Sequence, residues 1–257
     1  MRDICIGASA ACLWRSWLRF LATSLTLFLM AGIVYASENR PIQRGAALSA
    51  LTVDSICLAG CPRGAPAANR LIRRKNFAFS NNGNTKFADC VAYVVTPSRF
   101  GPPRQRNWRA DPGIPTSETL EPEDYRGAHA TIGTDRGHQV PLASFSATQE
   151  WRATNYLSNI TPQKSALNQG PWARLEKAIR RLAKSSVHEI VYVATGPIYE
   201  KIMPSLPNAD ETHSVPSGYW KVVAMSGPGG LEDVGFVMDQ DLSSAADFCA
   251  APQRINL

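Results

Sequence analysis

The sequence has no internal repeat and no low-complexity tract, which excludes solenoid, collagen-like and linker-dominated architectures. Regular alternation of strand and helix is missing too, which argues against a doubly wound parallel sheet. Cys57-Leu-Ala-Gly-Cys61 has no second Cys/His pair beside it, so a four-ligand zinc site lacks half its donors. Histidine is scarce, four in 257 residues, so any imidazole chemistry rests on single positions. Charged residues are a modest 19% against 44% hydrophobic, which excludes a disordered chain and indicates a folded one of one large domain or two small ones.

What is present points outward from the cell. Arg15 and Arg19 precede an uncharged apolar run from Phe20 to Ser37, and Val34-Tyr35-Ala36 places small residues at the two positions that a signal peptidase reads. The expected boundaries are a signal peptide over 1–36, a flexible polar lead-in over 37–50 and a domain over 51–257. The competing reading is an uncleaved anchor, since the run approaches the 20 or so apolar residues that a membrane span needs. Cleavage removes Arg2, Arg15 and Arg19 against Asp3, lowering the net charge from +6 to +4. A basic surplus favours polyanionic partners without naming one. Export also changes the cysteines: Cys5 and Cys12 leave with the signal, and Cys57–Cys61 reads as a small-loop disulfide.

Lys86 to Thr96 is β-branched and aromatic and predicts a strand. Pro97 to Glu123 is proline-rich and predicts a long functional loop. Gly170-Pro171 is predicted to open a helix whose apolar stripe is Trp172, Leu175, Ile179 and Leu182. Glu189–Thr195, Tyr219–Ser226 and Val234–Met238 read as further strands, so the class is α+β.

The chemistry-bearing set is Arg106, Arg136, His138, Asn159, Asn168, Glu176 and Arg180. Gly137 is expected to allow close backbone approach or positive φ in a tight turn presenting Arg136 and His138. A neutral imidazole accepts a proton from water near pH 7. Asn168, Trp172, Glu176 and Arg180 are spaced by four, which on one helix face aligns an amide, a carboxylate and a guanidinium. Phosphodiester cleavage needs such parts: a base, oxygen ligands for a hard cation, and arginines for phosphate. Singly, each residue has a plainer explanation. Glu176 and Arg180 read as a surface ion pair, and Arg106 as one of a solvated basic loop with Arg99, Arg104 and Arg109.

In combination they resemble the DNA/RNA non-specific endonuclease family of ββα-metal nucleases, and its secreted branch in particular. The resemblance rests on Asp135-Arg136-Gly137-His138, on Asn155 to Gln163, on Leu167-Asn168-Gln169, and on Trp172 to Glu176. It extends to Cys57–Cys61, Lys86–Tyr93, Arg106-Asn107-Trp108, Thr195–Tyr199 and Ala246–Cys249, covering roughly residues 52–250. It implies a ββα-metal motif in a domain around a central antiparallel sheet with flanking helices. It implies hydrolysis of DNA and RNA, single- and double-stranded, to 5′-phosphate ends, with Mg²⁺ as cofactor and Mn²⁺ as substitute.

The implied roles follow residue by residue. His138 is the general base; Asn168 ligates the metal directly, and Glu176 does so through water. Arg106 binds the scissile phosphate, Arg136 and Arg180 support substrate positioning, and Asn159 orients the site. Asp135 is expected to tie down its turn. The family includes dimers, so a homodimer is among the implied partners, with no stable membrane association after signal cleavage. Secreted members continue beyond the block matching Ala246–Cys249, where the partner of that cysteine lies. Cys249 is thus expected to lack its partner, with Cys90 as a substitute, at a cost in stability. Two competing functions are an inactive nucleic-acid-binding relative and a membrane-anchored interaction protein.

Overall fold

The computed structural model describes residues 65–185, 190–227, 230–250 and 253–255. The expected signal peptide, lead-in and Cys57–Cys61 disulfide all lie outside the described residues. No described helix is long and apolar enough to cross a membrane.

Two sheets organise the chain. Strands β1 (Arg70–Arg73), β2 (Phe77–Asn82), β3 (Phe87–Val95), β6 (Val191–Ile198), β7 (Gly218–Gly227), β8 (Gly230–Asp239) and β9 (Arg254–Ile255) form one antiparallel sheet. Their spatial order is β1-β2-β3-β6-β7-β8-β9. The segment between β3 and β6 leaves this sheet and builds a second, two-stranded one from β4 (Thr134–His138) and β5 (Ile160–Lys164). A short helix, α1 (Ala128–Ile132), precedes β4, and α2 (Ala173–Ala183) follows β5. An antiparallel strand pair followed by a helix is the ββα unit that the resemblance implied, set in an α+β domain around a central antiparallel sheet.

Helix α2 lies where its apolar stripe dictates. Leu175, Ile179 and Leu182 are buried against Val91, Tyr93, Val95, Val193 and Val223 of the sheet. Full burial of each such aliphatic side chain contributes about 1.5–3 kcal/mol, while Arg174 and Lys177 keep to solvent. The helix starts later than predicted. Gly170 adopts φ −96°, ψ −115°, so Asn168–Trp172 is an irregular wide turn and regular helix begins at Ala173. A Cβ at Gly170 would sit 2.7 Å from the Ser244 backbone, which is why the chain bends at a glycine here. Asn168 therefore does not share a helix face with Glu176 and Arg180; spacing by four along one helix fails at this break.

A second cluster, Phe87, Leu120, Tyr125, Ala128, Leu157, Ile160 and Leu206, packs between the main sheet, the long loop and the hairpin. The loop over 97–123 is fixed at Asp111, which is buried, pairs with Arg74 and accepts from Ser158 Oγ at 2.5 Å. Leu157 N donates to Arg109 O at 3.0 Å, closing the loop onto the segment before β5. These contacts bring Arg106 and Trp108 beside β4. The cysteine expectation is corrected: Cys249 is disulfide-bonded, and Cys90 is a free thiol that burial pushes up to about 12.

Candidate active site

A cavity of about 910 Å³ opens between the long loop, β4 and the start of α2. Arg106, Arg136, His138, Asn168 and Glu176 all line it, with Trp108, His129 and Asp135. Residues up to 70 positions apart thus meet at one surface. Asn159 and Arg180 are not among the lining residues.

Strand β4 presents Arg136 and His138 two residues apart, hence on one face. Gly137 lies inside the strand rather than in a turn, and positive φ among the glycines occurs only at Gly127 and Gly133 within the described residues. Close approach is its actual reason: a Cβ there would come within 2.6 Å of the Gln163 side chain on β5. The His138 ring packs at 5.3 Å from Trp108, and its Nε2 lies 3.1 Å from Asn155 Oδ1. An amide oxygen only accepts, so Nε2 carries the hydrogen and Nδ1 keeps a free lone pair. Burial, helped by repulsion from Arg106, pushes the His138 pKa down to about 4 against the opposing bond to Asn155. The imidazole is neutral at neutral pH. Asn159 secures the chain just after it: its amide donates to Val140 O at 3.0 Å and Thr154 O at 2.8 Å, and its oxygen accepts from Val140 N at 2.9 Å.

Asp135 is a hydrogen-bonding hub. Its carboxylate accepts from Asn168 Nδ2 at 3.0 Å, Gln169 Nε2 at 2.8 Å and Ser165 Oγ at 2.8 Å, with His129 Nδ1 at 3.1 Å. Burial alone would raise its pKa, but those bonds outweigh it and hold the group below the usual carboxylate range. Because the Asn168 nitrogen is committed to Asp135, its Oδ1 is the end left for a ligand. Glu176 stands one turn into the same segment. Burial pushes its carboxyl up, opposed by the charges of Lys221, Arg180 and Arg106. An amide oxygen, a carboxylate and a roomy polar cavity form a donor set suited to a hard cation that keeps most of its waters.

Arginines supply the positive charge. Arg136 lies over the Tyr125 and Trp108 rings at 5.3 and 5.8 Å and donates through Nη2 to Pro122 O at 2.9 Å. Arg106 is exposed and forms no ion pair with the described residues, so its guanidinium is available at the cavity.

Sequence reasoning missed three neighbours. Asn155 was within the quoted Asn155–Gln163 block, yet nothing in its spacing marked it as the partner of His138. Trp108 likewise sat in a quoted motif without a role. Lys221 gave no signal, being a lysine in an apolar strand; it is wholly buried, donates to Tyr93 OH at 3.1 Å and lies 4.3 Å over the Trp172 ring. Outside the cavity, the ligand oxygens of Glu121, Asp124 and Glu211 lie within 4.8 Å of one another. Burial and the neighbouring Glu211 push Glu121 up to about 7, and the Glu121 backbone N–H already occupies Asp124 Oδ2 at 2.6 Å.

Residues 61–253 match the family model for DNA/RNA non-specific endonucleases. The chain belongs to that family. It is 46% identical over 204 residues to a nuclease of Serratia marcescens, covering 78% of this chain and 76% of that protein. It is 31% identical over 179 residues to human mitochondrial endonuclease G, covering 65% of this chain and 58% of that one. Among solved structures, an EndoG/EndoGI complex superposes with a TM-score of 0.65 over 79% of this chain and 85% of its own, at 22% identity. That likeness extends the shared fold. Family membership makes the chain a nuclease of a metal-dependent class acting on nucleic acid.

Proposed function

We propose that the chain is a secreted endonuclease that hydrolyses phosphodiester bonds of DNA and RNA, single- or double-stranded, with Mg²⁺ and His138 as general base. The observation that carries this reading is a neutral His138, oriented by Asn155, in one cavity with Arg106 and with an Asn168 oxygen, neither of them paired with a described residue. His138 Nδ1 takes the proton of the attacking water. Arg106 holds the scissile phosphate and offsets the charge that grows on it, and Arg136 is kept in place by its two rings. Asn168 Oδ1 would hold the cation directly and Glu176 would hold it through water; Mg²⁺ fits this set, with Mn²⁺ as a substitute. When bound, the ion would supply Lewis-acid stabilisation of the charge that develops on the phosphate and leaving oxygen. Arg180, beside Glu176 in charge contact, supports it from the helix, and Asn159 fixes the backbone after His138. Products carry 5′-phosphate ends.

Indifference to sequence and sugar follows from the same parts. Contacts to phosphate position a strand without reading bases, and a water nucleophile needs no 2′-hydroxyl. Incubation with supercoiled plasmid and with RNA tests the proposal. Mg²⁺-dependent nicking of both, abolished by chelator and by His138→Ala, is the expected result. Retarded but uncut DNA, unaffected by chelator, would instead identify a binding protein without turnover. Export is tested separately: secreted material should begin at Ser37.

A further inference from the structure

Arg104 and Arg152 have no part in the mechanism above, yet they share one seat. Arg104 lies 5.5 Å over the Trp151 ring and Arg152 lies 4.7 Å over the same ring. Trp151 is only 9% exposed, while both arginines are exposed. Arg104 is further fixed by its Nε donating to Ser146 O at 2.8 Å. Neither guanidinium forms an ion pair with a described residue, and the neighbouring Glu150 is paired with Lys75 at 3.5 Å. Two cations without an ion pair among the described residues are therefore held on one aromatic ring, both on exposed residues and with part of their rotamer freedom already lost.

Short loops connect this pair to the cavity lining. Arg104 precedes Arg106 by two residues, a chain span of at most about 7 Å. The loop that binds Arg104 through Ser146 continues directly from Leu142 and Ala143, which line the cavity wall. Gly101 N to Ser146 Oγ at 2.9 Å and Ala147 N to Arg99 O at 3.1 Å tie the two loops together. Arg109, three residues after Arg106, is also exposed and forms no ion pair with a described residue.

We propose that Arg104 and Arg152 form an auxiliary phosphate-binding ridge that holds the sugar–phosphate backbone of the substrate next to the scissile phosphate. The inference rests on the nuclease reading and adds to it a place where a long strand, but not a minimal substrate, is gripped. Such a grip is independent of base sequence, because guanidinium–phosphate contacts carry no base information.

The test measures binding of a duplex of about 30 base pairs to His138→Ala protein across a salt series, with and without Arg104→Gln and Arg152→Gln. Each phosphate contact contributes about 0.9 to the slope of log affinity against log salt. The double variant should flatten the slope by roughly 2. With His138 intact, it should leave kcat/KM on a dinucleotide-length phosphodiester unchanged. The lysine pair Arg104→Lys and Arg152→Lys should retain the slope, since charge rather than packing on Trp151 sets it. An unchanged slope in the glutamine pair, or an equal loss on the short substrate, would overturn the ridge. Failure of the His138→Ala parent to bind duplex at all would overturn the nuclease reading, and the ridge with it.

Discussion

The two sides of the cavity prepare their groups by opposite physical means. On the His138 side, burial and the neighbouring Arg106 disfavour charge, leaving a neutral ring whose tautomer is set by Asn155. On the Asn168 side, several donors converge on Asp135 and hold it ionised despite burial, which orients Asn168. A base for water must be neutral and undemanding; a cation site must be negative and rigid. Burial disfavours charge on both sides, and at Asp135 the converging donors outweigh it. The Glu121, Asp124 and Glu211 group sharpens the lesson. There, burial and then the neighbouring Glu211 carboxyl push Glu121 up to about 7 instead of down. Proximity of acids is not what prepares a cation site; the hydrogen bonds that orient its oxygens are.

The largest expected effect comes from the neutral side. His138→Ala should lower kcat on plasmid by about 10²–10⁴-fold, the usual contribution of a positioned base, with cation affinity unaltered in a binding assay. Arg106→Ala should cost about 10²–10³-fold if the guanidinium stabilises charge growing in the transition state. Repeating that assay at low salt discriminates, because recovery there would reduce Arg106 to general attraction. On the ionised side, Asp135→Asn should weaken Mn²⁺ binding, followed by calorimetry, by about 10–100-fold through a misoriented Asn168.

Two smaller effects concern pH. His138 is depressed to about 4 from 6.5, so the folded protein resists a proton that the unfolded chain takes up. Its contribution to stability is complete above 6.5 and is lost as pH falls toward 4. The acidic limb of kcat/KM from this base should accordingly lie well below 6.5; a limb at 6.5 would show an unburied ring. Glu121 carries the opposite sign. Raised from 4.5 to about 7, its contribution is complete below 4.5 and is lost as pH rises through 7. Glu121→Gln should raise Tm above pH 7 and leave it unchanged below about 4.5. An equal change at both pH values would attribute the effect to packing.

Much of the fold was legible because its signals are local. The β-branched run at 86–96 is β3, and the stripe Leu175, Ile179 and Leu182 is the buried face of α2. Strand β8 proved longer than its apolar core, since Glu232 and Asp233 pair in register with β7 without resembling a strand. The site was legible in its residue types and not in its wiring. Asn168 was placed by a helical spacing that Gly170 breaks, and it reaches the cavity through a wide turn instead. Asp135 was expected to tie down a turn, whereas its donors come from 129, 165, 168 and 169, a convergence that exists only after folding. Asn155, Trp108 and Lys221 act through contacts across distant segments, for which a linear pattern carries no mark.

The independence of the two sides of the cavity is directly measurable. A Mg²⁺ titration of plasmid nicking by the wild-type chain, His138→Ala and Asp135→Asn measures it in one experiment. His138→Ala should lower the maximal rate at an unchanged half-saturating Mg²⁺ concentration, and Asp135→Asn should raise that concentration while excess Mg²⁺ restores the rate. Restoration of His138→Ala by Mg²⁺, or a lowered maximum in Asp135→Asn at unchanged half-saturation, would contradict the division of labour.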